Sequence, residues 1–76
     1  MKKSTVIATC LIHSGITAQP LADVEESIQQ SFNEDFRGLD YHQWNTHLTE
    51  TEANRIIKEF GSSYRIDIRQ FIQDLM

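Results

Sequence analysis

Three histidines, one cysteine and eleven carboxylates are the side chains of this 76-residue chain that could carry acid-base, nucleophilic or metal chemistry. Their spacing is unhelpful to all three. His42 and His47 are five residues apart, which sets them on opposite faces of an extended segment, and His13 follows a different element. No HExxH or comparable ligand spacing accompanies them. Metal sites usually announce themselves by clustered ligands, so the expectation is no metal. Cys10 lies in an apolar run, where burial raises a thiol pKa and leaves it inert. As the only cysteine it excludes an intramolecular disulfide and any multi-cysteine zinc site, which favours a reducing, cytoplasmic setting. The serines lack a nucleophile elbow, and Gly15, Gly38 and Gly61 are too far apart to cradle a phosphate. No motif supplies a mechanism, so the expectation is a protein that is not an enzyme and takes no cofactor. A small hydrolase using a histidine is the catalytic alternative.

Binding is the better prospect, and charge says where. The net charge is -4. Residues 1–19 hold Lys2 and Lys3 with no acid, residues 20–36 hold Asp23, Glu25, Glu26, Glu34 and Asp35 with no base, and the rest nearly balances. The acidity of the protein is thus the acidity of one segment. Duplex DNA binding through clustered Lys and Arg is disfavoured. Arg55, Lys58, Arg65 and Arg69, with Tyr64, offer only a sparse surface for single-stranded RNA, because Glu59 and Asp67 are interleaved with them. Direct nucleic-acid binding is therefore not expected.

The elements that must position these residues come next. Ser4 to His13 is rich in β-branched residues and apolar on both alternating faces, which reads as a strand covered on both sides. Pro20 suits the first position of a helix, and Leu21, Val24, Ile28 and Phe32 follow at helical spacing. At 100° per residue, Asp23, Glu26, Gln30 and Glu34 share the opposite, solvated side. Arg37-Gly38 makes a turn, and Leu39 to His47 reads as a partly exposed strand around Tyr41 and Trp44, a short irregular hairpin satisfying the pattern equally. Thr49-Glu50-Thr51-Glu52 fits a capping box, Leu48 and Ala53 a hydrophobic staple, and Ala53, Ile56, Ile57 and Phe60 an inner stripe. Gly61 would end that helix in the left-handed region. Tyr64, Ile66 and Ile68 alternate as a strand over 63–68, passing into a short C-terminal helix that Asp67 could cap.

The order β-α-β-α-β predicts a single small α+β domain over 1–76, with a sheet of about three strands and two helices on one face. A chain this short hides only about 60% of its unfolded-state surface, so docking on a partner or forming a homodimer would supply missing apolar burial. No stretch approaches a membrane span. Met1-Lys2-Lys3 and the apolar run after it echo a signal peptide superficially, but that run is short, holds two threonines and is closed by His13-Ser14-Gly15.

The candidate partner-binding residues are Asp23, Glu26, Gln30 and Glu34 on the acidic helix, with Tyr41 and Trp44 as aromatic anchors if their strand is half exposed. The opposing reading has Trp44 closing the core. The functional expectation is a small acidic protein-binding regulator or inhibitor. One such class, found in bacteria and their phages, blocks a nucleic-acid-handling complex by meeting its basic surface with an acidic helix. A dimeric nucleic-acid-associated regulator is the alternative.

Overall fold

The computed structural model of the chain describes residues 1–63 and 65–76. It is helical: α1 Lys3–His13, α2 Leu21–Asp35, α3 Tyr41–Trp44, α4 Glu50–Phe60 and α5 Ile68–Asp74. The expected three-stranded α+β sheet is wrong. Among the described residues the only β pairing is an isolated antiparallel bridge between Lys2 and His47.

The first correction has the largest consequence. Ser4 to His13 is not a central strand but the central helix, in contact with α2, α4 and α5. A segment apolar on both alternating faces is also apolar all round a helix, and such a helix is stable only when surrounded. Val6, Ile7, Ala8 and Cys10 are wholly buried, and Leu11 nearly so. Thr9 turns its hydroxyl back to the Thr5 carbonyl at 2.8 Å, so its polar group is satisfied within the helix. The C-terminus closes in a Schellman motif: Gly15 takes φ +77°, its N–H donates to Ile12 O, and the Ile16 N–H donates to Leu11 O, both at 3.1 Å.

The start of α1 is capped from far along the chain. Lys2 offers no side-chain cap. Instead the Ser4 N–H donates to Asn45 Oδ1 at 2.9 Å and the Lys3 N–H to Thr46 O at 3.1 Å. The Leu48 N–H donates to Met1 O at 2.8 Å. The segment from Asn45 to Leu48 therefore clasps the N-terminus and supplies acceptors for amides that a helix start leaves orphaned.

The second expected strand, Leu39 to His47, is a one-turn helix followed by that clasp. Asp40 caps α3 by accepting from the His42 N–H at 2.9 Å and the Gln43 N–H at 3.4 Å. Before it, Gly38 at φ +91° completes the turn in which the Leu39 N–H reaches Phe36 O. The third, 63–68, is irregular chain at Ser63 and over 65–67 and already helical at Ile68, the first residue of α5, and Ile66 and Ile68 pack against the core without a partner strand. Tyr64 lies outside the described residues. Asp67 then caps α5 through the Arg69 N–H at 3.0 Å and the Gln70 N–H at 3.4 Å.

Helix α4 starts where expected, with Thr49 Oγ1 accepting from the Glu52 N–H at 3.2 Å. The Glu52 carboxylate takes the Arg55 guanidinium instead of closing the box. Gly61 stays right-handed at φ -67°, so it ends α4 without the left-handed turn expected of it. In α2, Val24, Ile28 and Phe32 are buried as one stripe, while Leu21 at its first position is exposed.

Candidate functional site

Helix α2 carries its polar residues as a face. Asp23, Glu26, Gln30 and Glu34 are all exposed, on the side opposite the buried Val24, Ile28 and Phe32. The only ion pair among the described residues is Arg55 with Glu52, so the α2 carboxylates are not neutralised there. Asp23 sits in the first turn, where the helix dipole favours a negative charge. Glu34 and Asp35 end the helix at its negative pole, with no basic residue in the last turn. Those two charges are placed against the dipole. Helix stability accounts for the first and not for the last.

Tyr41 and Trp44 are elsewhere in kind. They are 8% and 7% exposed and belong to the core. Their rings surround Phe32, with centroids 5.5 Å away for Tyr41 and 5.1 Å for Trp44. Little of either surface is left for a partner, which is the outcome of the core-closing reading of Trp44. The Tyr41 hydroxyl accepts from Asn45 Nδ2 at 3.2 Å, so the residue that caps α1 also ties down the aromatic cluster. Lys3 Nζ lies 5.8 Å from the centroid of the Trp44 ring, a cation–π contact from α1. The Trp44 Nε1–H is buried and meets no acceptor among the described residues.

The groups with catalytic potential stay apart. His13, His42 and His47 are exposed on α1, on α3 and in the clasp respectively. Among the described residues no three His, Cys, Asp or Glu side chains are grouped to hold a metal ion. Cys10 is a free thiol in the core, and burial pushes it up to about 11, far from a reactive thiolate at neutral pH. No helix among the described residues is long and apolar enough to cross a membrane.

One feature was not anticipated from the sequence. Between α4 and α5 runs a groove of about 380 Å³ with an apolar floor of Ile56, Phe60, Ile66, Phe71 and Leu75. Phe60 is 42% exposed although it ends the inner stripe of α4, and its ring meets Phe71 at 5.3 Å. The signal was present in two stripes that each carry more apolar surface than one core contact requires, Ala53-Ile56-Ile57-Phe60 and Ile68-Phe71-Ile72-Leu75. Only the fold brings the two together.

No family model, curated protein or solved structure matches the chain, so its function rests on these residues.

Proposed function

We propose that this chain is a small acidic protein-binding regulator or inhibitor whose α2 outer face, Asp23, Glu26, Gln30 and Glu34, meets a basic surface on a protein partner. The observation that carries the reading is the placement of Glu34 beside Asp35 at the negative pole of α2, uncompensated by a basic residue in the last turn. Charges that oppose the helix dipole and stand in water are disfavoured by the isolated fold and gain on meeting cations. Three carboxylates and an amide along one exposed face suit a surface that otherwise holds phosphates, so the proposed partner is a nucleic-acid-handling protein. The cytoplasm is the compartment that goes with this reading, and the buried free thiol supports it.

The test is capture of host proteins by the chain and by the triple variant Asp23→Lys, Glu26→Lys, Glu34→Lys, with circular dichroism confirming that both are equally helical. Capture that disappears in the variant and weakens with salt supports the reading. Equal capture by both would overturn it.

A further inference from the structure

The groove between α4 and α5 has a floor, a length and a charge, and together they describe an occupant. Along α4 it is lined from Glu52 to Phe60, a run of about 12 Å at 1.5 Å per residue. Its other wall is lined along α5 and its two capping residues, from Asp67 to Leu75. An apolar trough two turns long between two helices matches the apolar stripe of a third helix, which would set anchors at i, i+3, i+4 and i+7 into it. Its volume exceeds what one side chain fills, and the half-exposed Phe60 ring stands at its edge as a contact surface.

The rim decides the chemistry of that helix. Arg55 is committed to Glu52, which holds the guanidinium firmly protonated. Glu52, Glu59, Asp67 and Asp74 stand along the rim with only Arg55 and Arg65 among them, so the rim is net negative. Asp67 spends one oxygen on capping α5, and Asp74 accepts from Gln70 Nε2 at 2.9 Å. A second copy docking groove to groove would bring two negative rims together, which opposes self-association here.

We propose that the α4–α5 groove binds an amphipathic helix of a partner protein, apolar on one stripe and flanked by Lys or Arg. No α2 residue lines the groove, so this site is separate from the acidic face and can fail without it. The probe is a synthetic helical peptide of about 14 residues with Leu at i, i+3, i+4 and i+7 and Lys on the flanks, set against the same peptide with Glu for Lys. Binding is followed by the backbone amide NMR shifts of the intact chain and by anisotropy of a labelled peptide. The expected result is shifts concentrated in 52–60 and 66–75, with the Lys peptide bound about tenfold or more tighter than the Glu peptide. Glu59→Lys with Asp74→Lys, both exposed sites, should remove that preference with helicity intact, and Phe60→Ser should weaken both peptides. Equal binding of the two peptides would overturn the proposal. So would shifts confined to α2, or binding that is abolished by the α2 triple variant and untouched by the groove variant, which would leave the acidic face standing alone. A free protein that runs as a dimer dissociated by Phe60→Ser would assign the groove to a second copy instead.

Discussion

Helices α1 and α2 lie against each other and are built on opposite terms. α1 is buried around most of its circumference, and its start is satisfied by atoms of Asn45 and Thr46. α2 buries one stripe, keeps five acids on a segment without a base, and ends with two charges set against its own dipole. One helix is specified by its surroundings, and the other carries more charge than its own stability asks for. Changes to α1 should therefore register as loss of fold, and changes to the outer face of α2 as loss of partner.

The sharpest break in that comparison would come from Ile7→Ala. Ile7 is wholly buried in α1, and the truncation should cost about 2–5 kcal/mol by urea denaturation, against a total of roughly 4–11 kcal/mol for a chain of this size. A cost below about 1 kcal/mol would mean that α1 is not the centre of the core.

Next in size is the pH response of Cys10. Its thiol is raised from 9.0 to about 11 by burial, so the folded state favours the neutral form. The stability this contributes is complete below pH 9 and declines as pH rises toward 11, because the unfolded chain ionises first. Relative to Cys10→Ala, the protein should lose roughly 2 kcal/mol over that window, and its thiol should react with a disulfide reagent at pH 8 only after unfolding. Prompt reaction of the native protein would expose α1 as less enclosed than described.

Asn45→Ala should cost about 1–2 kcal/mol, by removing the acceptor of the Ser4 amide and the donor to the Tyr41 hydroxyl together. The loss should show first as faster hydrogen exchange at the start of α1. The smallest effect has the opposite sign. Glu34→Lys should raise stability by about 0.3–1 kcal/mol at low salt, since it places a cation at the negative pole of α2. It should weaken partner capture at the same time, and a variant both stabilised and fully active would remove the reason given for that charge.

The same contrast explains what could be read in advance. Helix α2 and helix α4 are written locally: Pro20 or Thr49 opens them, a stripe of apolar residues recurs, and the solvated positions of Asp23, Glu26, Gln30 and Glu34 follow from geometry alone. In α1 the β-branched residues and the two apolar alternations pointed to a strand, because a fully buried helix and a fully buried strand share one pattern. Two local marks favoured the helix, the ten-residue length of the run from Ser4 to His13 and Gly15 two residues after it. The usual start signal was missing because its acceptors lie more than forty residues away. Around Tyr41 a helix of four residues is too short to show a period, although Asp40 was in place to cap it. Tyr41 and Trp44 as surface anchors depended on that strand. Their burial depends on Phe32, which no local reading connects to them. The α4–α5 groove is a property of two helices meeting, and neither segment describes it by itself.

Trp44 gives the chain an optical gauge of its own closure. It is the only tryptophan, its indole is enclosed beside Phe32 with the N–H unsolvated, and an ammonium group from the first turn of α1 lies over its ring. Its emission should therefore be blue-shifted in the folded chain and move to the red when the cluster with Phe32 comes apart. Light from one side chain would then report the loss of the shared core, without a label on any helix.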